Sequence, residues 1–173
     1  MAWMRWTFDI DPKYDANERK AIAQDVIDKI IERTQERRID KRGVGFKKYT
    51  TGYENSLEFK VAGKTKGSRA NLTLSGDMLA DLKFLRSEEG KITIGFEKGT
   101  ESNDKAEGNI KGTYGQSKPT GRARDFLGLP PTVLDEVRRK YPLNSARKRA
   151  ERAAAILETI EGSKRVAEDI EGE

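Results

Sequence analysis

Residues 21–33 read Ala21-Ile22-Ala23-Gln24-Asp25-Val26-Ile27-Asp28-Lys29-Ile30-Ile31-Glu32-Arg33. The large apolar residues of this stretch recur at helical spacing, and they are Ile22, Val26, Ile27, Ile30 and Ile31. Such spacing gives an α-helix one apolar stripe, while charged residues fill its other sides. We predict a helix that begins at a cap on Asp15 or Asn17, ends near Arg38 and packs on a sheet of the same domain. The alternative is that the stripe binds a partner protein.

Four short segments are predicted to be β-strands, and all but residues 83–88 alternate apolar with polar residues, which is the pattern of a half-buried strand. They are residues 2–10, 57–61, 83–88 and 91–97. A Glu89-Gly90 turn separates the last two segments, so we expect these to form an antiparallel hairpin. Together the strands supply the sheet that the long helix requires.

The rest of the domain is predicted to hold short helices and one long polar loop. Ser75-Gly76-Asp77 is typical of a capped start for a helix of one or two turns. Pro130-Pro131 opens another helix, from Thr132 to about Lys140, with apolar residues on one face. Residues 99–121 are polar and glycine-rich, and we expect a loop there with at most a short helical piece at 106–109.

These elements predict an α+β domain over residues 1–142. Its sheet is small and mainly antiparallel, and it is packed by the long N-terminal helix and by a C-terminal helix. Residues 143–173 are rich in alanine, arginine and glutamate and contain few large apolar residues. We predict that they form a charged tail, which is either a helix ordered against a neighbour or a flexible segment.

Composition excludes several classes of enzyme. The 173 residues include no cysteine and no histidine, which excludes disulfides, thiolate metal sites, cysteine nucleophiles and the Ser-His-Asp triad. No spacing of carboxylates is typical of a metal site, so we predict no catalytic residues, no metal and no cofactor. No run approaches the roughly 18 apolar residues of a membrane span, and the N-terminus lacks the apolar stretch of a secretory signal. We therefore expect a soluble protein, made in the cytoplasm, with no membrane partner.

Positive charge is concentrated in one part of the chain. The formal net charge is +5, and residues 33–48 alone hold seven basic residues against two acidic ones. Phosphates attract such clusters and the interleaved Phe46 and Tyr49 would stack on bases, so a nucleic-acid-binding module is one hypothesis. Ordinary solvated charge is the alternative. The basic residues that we predict to face a partner or DNA are Arg33, Arg37, Arg38, Lys41, Arg42, Lys47, Lys48, Lys105, Lys111, Lys118 and Arg122.

Three motifs occur in a fixed order between the two long helical segments. The first is Gly43-x-x-Phe46-x-x-Tyr49, the second is Leu72–Leu79 with its Gly-Asp-Met-Leu end, and the third is Phe126-Leu127-Gly128-Leu129. With this order and spacing, residues 16–140 resemble the phage virion morphogenesis family of tail-completion and head–tail joining proteins. The chain departs from the family pattern at Asp125, where a proline is expected, and in lacking a histidine before it.

The resemblance implies a fold and a function. Members of the family are small α+β subunits with a curved sheet, and they assemble into rings at the head–tail junction or at the end of the tail tube. The protein is then expected to be a structural part of the virion and not an enzyme. Its expected partners are further copies of itself in a ring, most simply a hexamer, the adjacent neck, connector or tail-tube proteins, and packaged DNA through non-specific contact. Its expected location is the neck of the virion, after assembly in the cytoplasm of the bacterial host.

Overall fold

A computed structural model describes residues 2–72, 77–113 and 120–142. The described residues up to Arg139 belong to one compact unit. They form an α+β fold of three strands and six helices, the first of which continues as a π-helix over Arg33–Arg37. The elements are β1 (Arg5–Asp9), α1 (Ala16–Glu32), α2 (Thr51–Glu54), α3 (Leu57–Val61), α4 (Asp77–Ala80), β2 (Lys83–Glu88), β3 (Lys91–Gly95), α5 (Glu101–Lys111) and α6 (Pro131–Arg139).

The sheet is antiparallel and has the strand order β1-β3-β2. Phe8 pairs with Ile92, and Trp6 pairs with Ile94. Phe8, Ile92 and Ile94 are buried, because every second residue of a strand points to the same face. The register of β2 shifts between Phe84 and Arg86. The predicted strands at 2–10, 83–88 and 91–97 are therefore confirmed.

Helix α1 covers the sheet, as its apolar stripe predicts. Asp15 is the cap: its carboxylate accepts hydrogen bonds from the backbone N–H groups of Asn17 and Glu18, at 2.8 and 2.9 Å. The Glu18 carboxylate in turn accepts from the Asp15 N–H, which completes a capping box. The apolar stripe is buried and the helix contacts β2 and β3. Helix α6 packs against α1 through the apolar face that contains Leu134 and Val137.

The prediction of a strand at 57–61 is wrong, because these residues form the short helix α3. Ser56 caps it, with its hydroxyl accepting from the Phe59 N–H at 3.2 Å. Leu57 and Val61 are four residues apart, which places them on the same side of a helix, and Phe59 faces away from them into the core. In so short a segment, the apolar pattern of a β-strand is nearly the same as that of a single helical turn.

The polar segment after β3 also differs from the prediction. Residues 101–111 form the helix α5 of 11 residues, where only a short piece at 106–109 was expected inside a loop. The Thr100 hydroxyl accepts from the Asn103 N–H at the start of the helix. Gly112 ends it with φ at +73°, a conformation that glycine adopts at little cost. Too few large apolar residues lie in this segment to give a hydrophobic period.

The motif residues form turns and core. Gly43 has φ at +84° and lies in the turn after α1. Seven of the larger motif residues are buried, and they are Phe46, Leu72, Met78, Leu79, Phe126, Leu127 and Leu129. Tyr49 is half-buried, and Leu74 lies outside the described residues. The predicted helical start at Asp77 is confirmed by α4, while Ser75 and Gly76 lie outside the described residues, as does the predicted tail at 143–173.

Candidate functional site

Arg33, the first of the predicted partner-facing residues, lies in the interior. It is 5% exposed, and its Nη2 donates a hydrogen bond to the backbone oxygen of Phe126 at 2.6 Å. Its Nε and Nη1 have no hydrogen-bond partner among the described residues. Burial lowers the pKa of Arg33 to about 10, and the negative charges of Asp40 and Asp125 oppose that shift. Arg33 therefore ties the end of α1 to the C-terminal part of the domain and is not available to a partner.

Five of the predicted residues are paired with carboxylates of the same chain. The pairs are Arg37–Glu32 at 3.1 Å, Lys41–Asp125 at 2.8 Å, Arg42–Asp40 at 3.2 Å, Lys105–Glu101 at 2.8 Å and Lys111–Glu107 at 2.5 Å. Each pair cancels much of the local positive charge. These five cations are consequently poorer candidates for an anionic partner than their sequence positions indicate.

Asp40 organises the loop that follows the π-helix. Its Oδ1 accepts hydrogen bonds from the backbone N–H groups of Arg42 and Val44, both at 2.8 Å. Burial raises the pKa of Asp40, but these two bonds and the Arg42 guanidinium outweigh burial and hold the pKa below its usual value. The charged carboxylate thus fixes the turn that carries the rest of the basic loop, residues 38–50.

Lys47, Lys48 and Arg122 have a different environment. The Lys47 ammonium donates to the backbone oxygen of Gly121 at 2.7 Å, and the Arg122 guanidinium donates to the backbone oxygen of Lys48 at 2.5 Å. These two bonds join the basic loop to residues 121–122, and they place the side chains of Lys47 and Arg122 at that junction, beside the backbone of Lys48. Arg38 is half-buried at the end of the π-helix, and Lys118 lies outside the described residues.

Arg69, which is not among the predicted partner-facing residues, joins this group. Its backbone forms an antiparallel bridge with Lys48, and its guanidinium lies over Gly45, where an added Cβ would stand 2.4 Å from Nη1. We call Lys47, Lys48, Arg69 and Arg122 the basic patch. In the described part of the chain, no carboxylate forms an ion pair with Lys47, Lys48 or Arg69.

The basic patch lies in the most positively charged part of the protein. Residues 41–72 hold eight basic residues against two acidic ones, a net charge of +6. Since the whole chain has a net charge of +5, all other residues together have a net charge of −1. The surplus of positive charge therefore lies in this segment, to which the basic patch adds Arg122.

The aromatic residues of the same region are engaged within the fold. Phe46 is buried. The ring of Tyr49 packs against Tyr53 and Phe59, with centroids 5.1 and 5.5 Å away, and the Tyr49 hydroxyl is bonded to Asn71 at 2.9 Å. The predicted stacking of Phe46 and Tyr49 on bases is therefore not available in this arrangement.

Two apolar side chains lie on the surface of α3. Leu57 is 73% exposed and Val61 is 79% exposed, one helical turn apart.

Within the ranges that the structure describes, no group of three acidic side chains could hold a metal ion. Over those same ranges, no helix has the length and apolar character needed to cross a membrane.

No family model matches the chain, and no curated protein or solved structure matches it significantly. The resemblance to the phage virion morphogenesis family therefore depends on the order and spacing of its three motifs.

Proposed function

We propose that the protein is a structural component of a phage virion that joins the head to the tail, or completes the end of the tail. It acts as a homo-oligomeric ring, most simply a hexamer, that docks onto neighbouring neck and tail proteins without chemical turnover. Its place is the neck of the virion, after assembly in the cytoplasm of the host. The observation that carries the proposal is the ordered set of motifs between residues 43 and 129.

The surface of α3 supports an assembly role. Isolated apolar side chains are common on protein surfaces, but Leu57 and Val61 occupy the same side of one short helix. Phe59 anchors that helix to the domain from its other side. A ring requires two different surfaces on each subunit that fit one another. We assign the Leu57–Val61 side of α3 to one of these surfaces, because burial in a contact would remove both side chains from water.

The first test is the oligomeric state of the full chain in solution. Sedimentation velocity and negative-stain microscopy should show closed rings of the wild-type protein. The double variant Leu57→Ser with Val61→Ser should sediment as a monomer, while its circular dichroism stays unchanged. Val44→Ser is the matched control, because it removes an exposed apolar side chain outside α3 and should leave the rings intact. A wild-type protein that is monomeric at high concentration would contradict the ring.

The second test addresses the place of the protein in the virion. A stop codon in its gene, in the phage that carries it, should yield full heads and separate tails by electron microscopy. Supplying the protein in trans should restore joined particles. Infectious, fully joined virions that lack the protein would overturn the proposal.

A further inference from the structure

We propose that the basic patch binds the phosphate backbone of duplex DNA without sequence preference. The proposal rests on the charge and geometry of Lys47, Lys48, Arg69 and Arg122, and it does not depend on ring formation. It gives the protein a second type of partner, beyond the neck and tail proteins to which it would dock.

Two hydrogen bonds to backbone oxygens place the Lys47 ammonium and the Arg122 guanidinium where the basic loop meets residues 121–122. The Lys47 ammonium and the Arg122 guanidinium are held by carbonyl oxygens, of Gly121 and Lys48. Arg69 is placed beside Lys48 by the backbone bridge between these two residues. A carbonyl oxygen positions the Lys47 ammonium without cancelling its charge, and no carboxylate of the described residues forms an ion pair with Lys47, Lys48 or Arg69. These three cations therefore keep a positive potential that an anion relieves.

The composition of the patch fits nucleic acid better than an acidic protein. Interfaces between proteins have an apolar centre and depend on aromatic and aliphatic side chains. Interfaces with nucleic acid are more polar and much more positive. The four side chains of the patch are two lysines and two arginines, and arginine in addition presents a planar fork that fits two phosphate oxygens.

The packing of the neighbouring aromatic rings favours a duplex over a single strand. Binding of single strands depends on aromatic side chains on which the bases stack. Here Phe46 is buried, and the ring of Tyr49 is enclosed by Tyr53 and Phe59, so neither offers a free face to a base. Phosphate contacts remain, and they recognise the backbone irrespective of sequence.

Fluorescence anisotropy with the full chain and a labelled duplex DNA of mixed sequence tests the proposal. Four phosphate contacts predict a slope of about −3 to −4 in a plot of log K against log salt concentration, between about 50 and 200 mM. Each contact that is removed should reduce this slope by about 1. The variant with Lys47, Lys48, Arg69 and Arg122 all changed to glutamine should therefore lose nearly all salt-dependent binding.

A matched control separates the basic patch from net charge. Changing Lys20, Lys83, Lys91 and Lys98 to glutamine removes the same four charges from α1, β2, β3 and the segment before α5. This control variant should keep the wild-type slope. Three results would each overturn the proposal. The first is an equal loss of binding in both variants, and the second is no binding of the wild-type protein at low salt. The third is tighter binding of single-stranded DNA or polyglutamate than of duplex DNA. Ring formation, measured separately by sedimentation, should be the same in both variants.

Discussion

At the scale of single residues, Tyr49 and Tyr53 show how two similar side chains in one cluster contribute differently. The Tyr49 hydroxyl accepts a hydrogen bond from the Lys64 ammonium at 2.7 Å and bonds Asn71 at 2.9 Å. The Tyr53 hydroxyl is buried and has no hydrogen-bond partner among the described residues. The pKa of Tyr53 is raised to about 12, mainly by burial and to a smaller extent by the nearby Tyr49 and Glu58. A buried polar atom without a partner destabilises the folded state.

The two tyrosines form a matched pair of variants. Tyr53→Phe should raise the free energy of unfolding by about 1 kcal/mol, since it removes an unsatisfied hydroxyl and keeps the ring. Tyr49→Phe should lower the free energy of unfolding by about 2 kcal/mol, because it removes the hydrogen bonds that the Tyr49 hydroxyl forms with the Lys64 ammonium and with Asn71. Urea denaturation of both variants measures the difference. Equal effects of the two substitutions would contradict the assigned hydrogen bonds.

The candidate site could be predicted only in part from individual residues. The sequence places Lys47, Lys48 and Arg122 in basic stretches, and the structure joins the two stretches through the side chains of Lys47 and Arg122. The burial of Arg33 could not be foreseen, because arginine is rarely buried. Arg69 could not be assigned either, since its place beside Lys48 depends on a pairing across about 20 residues of intervening chain.

At the scale of elements, the reliable predictions had long, regular apolar patterns. Helix α1 and strand β3 bury such patterns, and each was expected from sequence. Helices α3 and α5 were not expected from the sequence. The first is too short for its period to be resolved, and the second is recognisable only by its ends, Thr100 and Gly112. Capping residues, acidic residues in the first turn and a basic residue in the last would have been the signals to use for α5.

Contact between β1 and β3 depends on Gly95. A Cβ at this position would stand 2.5 Å from the backbone oxygen of Met4 and 2.8 Å from the Cα of Arg5. Both are backbone atoms of the neighbouring chain segment, so they cannot move aside as a flexible side chain could. Gly95→Ala should therefore lower the free energy of unfolding by about 2 kcal/mol, because the two strands must separate.

Gly52 supplies the control for the Gly95 variant. It lies in α2, and a Cβ there would meet no atom within 4 Å. Gly52→Ala should be neutral or raise the free energy of unfolding by up to about 1 kcal/mol, because alanine favours helix. Thermal denaturation followed by circular dichroism compares the two variants. Equal tolerance of both substitutions would contradict the close approach of β1 to β3.

At the scale of the whole molecule, contacts in the interior and contacts at the surface hold the basic loop to the C-terminal part of the domain. Arg33 binds the Phe126 backbone in the interior. At the surface, the Lys41 N–H donates to the Asp125 backbone oxygen at 2.9 Å, and the Lys41 ammonium pairs with the Asp125 carboxylate. These contacts bring residues that are far apart in sequence into one cluster, which packs beside β3 through the contact between the rings of Phe126 and Phe96. The basic patch lies on that cluster, so its geometry depends on both contacts.

Arg33→Met tests whether this cluster opens independently of the sheet. Loss of a charge-assisted hydrogen bond in the interior should lower the free energy of unfolding by about 2 kcal/mol. Hydrogen exchange should accelerate at the amides of Lys41 and Phe46, which are bonded to Asp125 and Arg38, and much less in the β-sheet. Arg37→Met is the control: its side chain is 64% exposed and forms only a surface ion pair, worth less than about 1 kcal/mol. Uniform acceleration over the whole domain would show that loop and sheet unfold as one unit, contrary to the expectation.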